Sequence, residues 1–168
     1  GRVSTDTDYF DINKNQITGT ISSVTLLTVS YSFSRDVTFV ATNASGTPLA
    51  WWTRSVRFTN DPATQTATGS YTLPGVPEQT ANLSAKGTFS LRKRQSVALD
   101  PDGQAVVDFT LTPGDLDGSN TVNTLDYSVM KGKWMSTDTT ADINGDGMVQ
   151  TVDYSIMKLN WYRAGDAQ

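Results

Sequence analysis

The chain contains no cysteine and no histidine, and Glu78 is its only glutamate. These absences exclude disulfide bonds, Cys/His zinc sites, and the Ser-His-Asp and Cys-His arrangements used in nucleophilic catalysis. An EF-hand calcium loop usually ends in a bidentate glutamate, so a loop of that kind would have to end in aspartate here. No apolar run approaches the roughly 18 residues of a membrane span, and we therefore expect no membrane insertion.

Negative charge is concentrated in the last third of the chain. Residues 1–113 carry nine acidic and nine basic side chains, whereas residues 114–168 carry eight aspartates against four lysines and arginines. The whole net charge of −4 therefore lies in the C-terminal segment. Such an excess favours cation binding and argues against a nucleic-acid or anionic membrane partner.

Two stretches of this acidic segment have the residue spacing of a calcium loop. Asp115–Asp126 reads DLDGSNTVNTLD, and Asp142–Asp153 reads DINGDGMVQTVD. Each places oxygen-bearing side chains at loop positions 1, 3, 5, 9 and 12, the ligand positions of an EF-hand loop. Turns also favour Asp, Asn and Gly, which is the alternative explanation for a single loop of this composition.

The repeat extends beyond the ligand positions, which turn composition does not explain. Residues 122–131 (VNTLDYSVMK) match residues 149–158 (VQTVDYSIMK), and Trp134 and Trp161 follow at the same spacing of 27 positions. We therefore predict two Ca²⁺ sites. The predicted ligands of the first are Asp115, Asp117, Ser119, the Thr121 carbonyl, Asn123 (directly or through water) and Asp126. Those of the second are Asp142, Asn144, Asp146, the Met148 carbonyl, Gln150 and Asp153.

The region before the repeat has the pattern of short β-strands separated by turns. Its apolar residues alternate with polar ones and show no helical period, which predicts an all-β, antiparallel β-sandwich of the Greek-key type. The last two strands are predicted to form a hairpin about the turn at residues 100–103. The predicted strands are 24–33, 37–41, 49–58, 65–73, 81–86, 89–99 and 104–111.

The strand pattern ends at Thr112-Pro113-Gly114, where the first predicted calcium loop follows. We therefore divide the chain into an N-terminal tail (1–15), a β-sandwich (16–112) and a small all-α module with two EF-hand-like loops (113–168). In each repeat a short apolar stripe predicts a helix that begins near the last ligand. Helices this short are unstable alone in water, so the two units should pack on each other and fold with their metal.

The duplicated calcium loop followed by a single helix resembles the dockerin module, over residues 114 to about 162. The resemblance implies a non-catalytic, extracellular module that binds a cohesin-like domain and accompanies secreted proteins acting on polysaccharide. It also implies that the partner is bound just before the last ligand and a turn further along each helix. The corresponding residues are Thr124, Leu125, Lys131 and Gly132 in the first repeat, and Thr151, Val152, Lys158 and Leu159 in the second.

These positions depart from the pattern of the enzyme-borne dockerins, which often carry Ser-Thr ahead of the last ligand. Thr124-Leu125 and Thr151-Val152 stand there instead, so the class of cohesin is left open, and Leu125 and Val152 are equally compatible with a core position. Gly132 and Leu159 occupy equivalent positions and make the two helices unequal.

The preceding region resembles a carboxypeptidase-regulatory-like (transthyretin-like) sandwich, on the segments GSYTLPGVP (69–77) and LSAKG (83–87). This resemblance implies no catalytic groups, and we expect the chain not to be an enzyme. The alternative is a carbohydrate- or matrix-binding sandwich with purely structural calcium repeats. Adjacent residues on a strand face opposite sides, so of Trp51 and Trp52 one is expected in the core and one on the surface.

Overall fold

The computed structural model of the protein describes residues 15–168, so the predicted N-terminal tail lies outside the described residues except for Asn15. In these residues, eight strands are followed by two helices. The strands are β1 (Gln16–Val24), β2 (Ser32–Thr42), β3 (Pro48–Asp61), β4 (Thr66–Leu73), β5 (Asn82–Gly87), β6 (Lys93–Ser96), β7 (Gln104–Val106) and β8 (Phe109–Thr110). The helices are α1 (Thr124–Gly132) and α2 (Thr151–Leu159).

The strands form one sheet in the order β6-β5-β2-β3-β4-β1-β7, and β8 also pairs with β1. Strand β3 takes part in both halves of this sheet, because it pairs with β2 along most of its length and with β4 only over Thr59–Asp61. The two halves meet at this short pairing and contribute buried side chains to one common core. The mostly-β prediction for this region is confirmed, and the Greek-key type stays a prediction.

Aromatic side chains from both halves pack against each other in that core. The ring centroid of Phe39 in β2 lies 4.4 Å from that of Tyr71 in β4 and 6.3 Å from that of Phe109 in β8. Residues 67–73 of β4 alternate between buried and exposed, as expected for a strand with one face on the core. Tyr71 also donates a hydrogen bond from its hydroxyl to the Val107 carbonyl at 2.5 Å, so its buried polar atom is satisfied.

Several details of the predicted strand set are wrong: β1 was not predicted, and only residues 93–96 of the strand predicted over 89–99 form one. Residues 25–31 lie outside any strand, although a strand was predicted over 24–33. The turn at residues 100–103 forms, with the Gly103 N–H donating to the Asp100 carbonyl at 2.9 Å, but the flanking segments do not make a hairpin. Strand β6 pairs with β5, whereas β7 and β8 pair in parallel with β1, so the sheet is mixed rather than purely antiparallel.

Both helices begin two residues before the predicted last ligand, close to the predicted starting point. The Asn123 N–H donates to Asp126 Oδ2 at 2.8 Å, and the Gln150 N–H donates to Asp153 Oδ2 at 2.8 Å. A carboxylate at the third helical position thus binds the N-cap amide in each repeat, as in a capping box. Within residues 15–168, neither helix has the length and hydropathy needed to span a membrane.

The two repeats are joined by backbone hydrogen bonds at equivalent positions. A valine of each loop bonds to the segment that follows the helix of the other repeat. The bonds join Val149 to Met135 (2.9 Å) and Ser136 (2.9 Å), and Val122 to Tyr162 (2.9 Å) and Arg163 (2.8 Å). The equivalent tyrosines Tyr127 and Tyr154 also meet, with ring centroids 5.5 Å apart. The repeats are therefore related by an approximate two-fold axis.

The helices pack on the sheet region through a second apolar core. Phe89 and Leu91, which lie between β5 and β6, join Val122, Met130 and Met157 in this cluster. The buried Asn160 side chain donates through Nδ2 to the Pro113 carbonyl at 2.8 Å. A shared core at the junction fixes the repeats against the sheet region.

Candidate calcium loops and docking face

The first loop brings its three predicted carboxylates together. One oxygen from each of Asp115, Asp117 and Asp126 lies within 4.8 Å of the others. Asp115 Oδ1 is buried and has no hydrogen-bond partner among the described residues. An unsatisfied buried carboxylate oxygen is costly unless a cation binds it, and clustered carboxylates are the ligands that Ca²⁺ prefers. The residues of this loop therefore fit a calcium ion.

The other predicted residues of the first loop lie in the same cluster. The Ser119 N–H donates to Asp117 Oδ1 at 2.9 Å, and the Ser119 hydroxyl donates to the Thr121 carbonyl at 3.3 Å. Asn123 donates through Nδ2 to the Thr121 hydroxyl at 2.9 Å. All six predicted ligand residues of this loop are thus connected to one another or to the Asp115–Asp126 carboxylate group.

Hydrogen bonds among the predicted ligand residues also close the second loop, in which Asn144 takes the position of Asp117. Asp146 Oδ2 accepts hydrogen bonds from Asn144 Nδ2 at 3.0 Å and from Gln150 Nε2 at 2.9 Å, while Asp146 Oδ1 accepts from the Met148 N–H at 3.1 Å. Asp153 Oδ1 accepts from the Asn144 N–H at 3.1 Å. Asp142, Asp146 and Asp153 give this loop as many aspartates as the first, but among the described residues only the three aspartates of the first loop bring one oxygen each within 4.8 Å of one another.

The two loops have the same backbone conformation at their glycine positions. Gly118 and Gly145, at loop position 4, have φ of 79° and 76°, which is the left-handed region that favours glycine. At position 6, Asn120 and Gly147 have φ of 66° and 97°. The local sequence therefore builds two equivalent loops, as the repeat predicts.

Burial changes the acidity of the last predicted ligand in each loop. Asp126 and Asp153 are fully buried. Desolvation raises the pKa of the Asp153 carboxyl to about 6 and also raises the pKa of Asp126, against the lowering effect of their backbone hydrogen bonds. A raised pKa marks a carboxylate whose negative charge is poorly compensated, and a bound divalent cation would compensate it.

The second loop, unlike the first, rests on aromatic residues before and within β2. A Cβ atom added at Gly145 would lie 2.4 Å from Phe33 Cγ, whereas one added at Gly118 would meet nothing within 4 Å. The Tyr31 hydroxyl donates to the Asn144 carbonyl. The sheet region therefore constrains the second loop directly, which no local sequence signal indicated.

The eight predicted partner-binding residues lie mainly on the surface. Leu125 and Leu159 are 61% and 62% exposed, large values for leucine on a packed helix. Val152 is only partly exposed and packs against the second core, so of the two residues left open between core and surface, Leu125 is on the surface and Val152 is half-buried. The remaining residues, Thr124, Lys131, Gly132, Thr151 and Lys158, are exposed.

An aromatic groove lies beside these residues and was missed from the sequence. It has a volume of about 490 Å³ and is lined by Tyr127, Lys131, Trp134 and Tyr154. Trp134 is 41% exposed, whereas its counterpart Trp161 packs against the second core. The duplicated Tyr and Trp positions indicated this surface, but the repeat alone does not show that only Trp161 packs against the second core.

The paired tryptophans of β3 face opposite sides of the sheet, as their adjacency predicts. Trp51 is 59% exposed. Trp52 packs against the main core and donates through Nε1 to the Pro74 carbonyl at 3.2 Å. The sheet thus presents a single tryptophan at this place rather than a pair.

Comparison with known proteins identifies the C-terminal segment. The family model of the dockerin type I domain matches residues 113–160, and dockerin domains bind calcium. Among curated proteins, none matches the chain. Among solved structures, the fold is similar to a chain in the crystal structure of an N-terminal interface mutant of a type II cohesin–X-dockerin complex from Acetivibrio cellulolyticus. That chain is 11% identical, the TM-score is 0.53, and the match covers 90% of the present chain and 97% of the other.

At this identity the structural likeness shows the fold alone, but it covers the sheet region as well as the helices. The carboxypeptidase-regulatory-like type of the sheet region stays a prediction. The loops and the helices lie within the stretch that the family model matches, so residues 113–160 are similar to a dockerin type I domain.

Proposed function

We propose that the chain is the non-catalytic docking part of a secreted bacterial multi-domain protein, which it anchors to a cohesin-like domain in an extracellular assembly concerned with polysaccharide. The observation that carries this proposal is the coincidence of the dockerin type I match with two closed loop–helix units. The similarity to a chain from a cohesin–X-dockerin complex supports the same kind of partner.

The two loops hold one Ca²⁺ each, through the two sets of six residues given above. Calcium takes six to eight oxygen ligands, and each loop offers side-chain and backbone oxygens at the spacing that surrounds such an ion. The buried Asp115 Oδ1, which lacks a hydrogen-bond partner, is the strongest support in the first loop. In the second loop, the raised pKa of Asp153 gives comparable support.

The partner binds the exposed side of the helices around Leu125, Lys131, Lys158 and Leu159. Exposed leucines beside lysines offer apolar contact area together with positive charge, which suits a partner surface that is apolar at its centre and acidic at its rim. The family match is to the type I dockerin, whereas the similar fold comes from a type II cohesin complex. The cohesin class therefore has to be decided by experiment.

The test is binding of the full chain to immobilised type I and type II cohesin domains, in calcium and again in chelator. We expect binding to one class in calcium and none in chelator. Asp115→Ala and Asp142→Ala should each remove one calcium equivalent by calorimetry and weaken binding, leaving the sheet folded. If both variants kept two equivalents, the ligand assignment would be wrong.

A second candidate function rests on Trp51, the exposed tryptophan of β3. An exposed aromatic ring can stack on a sugar, so the sheet region would then bind carbohydrate or matrix while the calcium loops stabilise the fold. Retention of the chain on insoluble polysaccharide, unchanged by chelator and without any cohesin binding, would favour this function over docking.

A further inference from the structure

The first aspartate of each loop is contacted by a basic side chain from the sheet. Lys86 of β5 forms a salt bridge with Asp115 Oδ2, and Lys86 Nζ also donates to the Ser90 carbonyl at 3.0 Å. The Lys86 side chain is 18% exposed and that of Asp115 is 0% exposed. This ion pair is therefore well shielded from water, where such pairs interact more strongly than on the surface.

The second loop has the same arrangement with a different residue. Arg35 of β2 donates through Nη2 to the Asp142 carbonyl at 2.6 Å, and the same nitrogen lies 3.7 Å from Asp142 Oδ2. The two side chains are 8% and 3% exposed. Strands β2 and β5 are neighbours in the sheet, with Thr38 opposite Lys86, so both basic residues come from one end of the same strand pair.

In both loops the basic residue lies beside carboxylate oxygen Oδ2, which is also bonded to the loop backbone, while Oδ1 of Asp142 accepts from the Gly145 N–H at 2.8 Å. Asp115 Oδ2 accepts from the Asn120 N–H at 3.0 Å, and Asp142 Oδ2 accepts from the Gly147 N–H at 3.0 Å. Asp115 Oδ1 remains without a hydrogen-bond partner. The lysine and a cation on Oδ1 therefore do not compete for the same atom, and both can be present together.

We propose that Lys86 and Arg35 are positioning residues through which the sheet region stabilises the metal-free calcium loops and lowers their calcium affinity. The inference rests on the proposed calcium sites and adds the residues that regulate them. Each basic side chain offsets the charge of a buried loop aspartate when no metal is bound. The same positive charge repels a divalent cation that binds the opposite oxygen of that aspartate.

Removing the Lys86 charge is expected to raise the calcium affinity of the first site. Removing the Lys86 charge leaves Asp115 Oδ2 bonded to the Asn120 amide, so the geometry of the ligand is retained while the repulsion is lost. A unit charge a few ångströms from a divalent ion lowers its affinity on the order of tenfold even at solvent-like dielectric. Removing the charge should therefore tighten the first site by about three- to tenfold.

The experiment compares Lys86→Met with the wild-type full chain by calcium calorimetry and by urea unfolding in chelator and in saturating calcium. We expect the first site to tighten and the second to stay unchanged. The urea midpoint should fall more in chelator than in calcium, because the two measurements close one thermodynamic cycle and must report the same coupling.

Lys93→Met is the matched control. Lys93 lies on the neighbouring strand β6 and pairs with Asp166 at 3.4 Å, so it also joins the sheet to the C-terminal segment, but within the described residues it makes no salt bridge or hydrogen bond with a predicted loop ligand. The control should change calcium affinity by less than about twofold, because its charge is exposed and screened. If Lys86→Met does not fold in chelator, Lys86→Gln removes the charge and keeps a donor.

If both Lys86 variants bind calcium at the first site no more tightly than the wild type does, the inference is wrong, although two-site calcium binding would still stand. A midpoint in chelator equal to that of wild type would also overturn it. If the wild-type chain binds no calcium, the proposed calcium sites are wrong, and so is the claim about their affinity.

Discussion

The contact between the second loop and Phe33 is tested by a pair of glycine substitutions. Gly118 and Gly145 occupy the same loop position and have nearly the same φ, 79° and 76°. Alanine at either position pays the same backbone cost, but only at Gly145 does the added methyl meet another side chain, at 2.4 Å from Phe33 Cγ. The difference between the two variants therefore isolates one contact between the sheet and the second loop.

The size of that difference follows from two contributions. Placing alanine in the left-handed region costs about 1–2 kcal/mol at either glycine. Forcing a methyl group into a filled space costs typically about 1–3 kcal/mol more. We therefore expect Gly145→Ala to lower the free energy of unfolding by about 2–5 kcal/mol, and Gly118→Ala by about 1–2 kcal/mol.

The assay is urea unfolding followed by tryptophan fluorescence in chelator, since Trp134 and Trp161 lie in the calcium repeats. A double-mutant cycle gives the control: in a Phe33→Ala background, the cost of Gly145→Ala should fall to that of Gly118→Ala. Equal costs for Gly118→Ala and Gly145→Ala in the wild-type background would refute the reasoning, because the second loop would then not be held against Phe33.

Three further outcomes are expected. Leu125→Ala and Leu159→Ala should each weaken cohesin binding by about 1–2 kcal/mol, measured by calorimetry, without lowering the urea midpoint, because both side chains are largely exposed. Trp51→Ala should leave cohesin binding unchanged, and any loss of cohesin binding would place Trp51 in the docking surface. Hydrogen bonding to Lys133 holds the pKa of Asp138 well below its ordinary value. The ionised Asp138 therefore stabilises the fold at a pH above the ordinary carboxyl pKa, and this stabilisation is lost as the pH falls from there towards the lowered pKa. Asp138→Asn should therefore flatten the loss of stability between about pH 5 and pH 2 in chelator urea titrations.

The calcium repeats could be predicted from the sequence because their structure is local. Each loop and the start of its helix lie within twelve residues, and the hydrogen bonds that close them join residues within ten positions of each other, as from the Leu116 N–H to Asp126 Oδ1. The duplication then supplied an independent check on every position. What it left open was Leu125, whose exposure depends on how the helices pack rather than on the repeat.

The strand order could not be predicted because strands pair with segments that lie far away in the sequence. The prediction of a turn at residues 100–103 was correct. However, β6 pairs with β5, and β7 pairs with β1, which lies almost 90 positions earlier in the chain. A turn signal specifies that the chain reverses and not which neighbours the flanking strands find. The contacts of Lys86 and Arg35 with the loops were missed for the same reason, since they join residues 29 and 107 positions apart.

The crossed hydrogen bonds of Val122 and Val149 determine what is lost when the two repeats are separated. Each repeat completes the loop of the other, in the manner of two subunits of a symmetric dimer that happen to be joined by a peptide chain. A chain cut before Tyr162 would lose the partner of the first loop, although some 40 positions separate the two in sequence. A peptide holding a single repeat would recover these bonds only by associating with a second copy in the same arrangement.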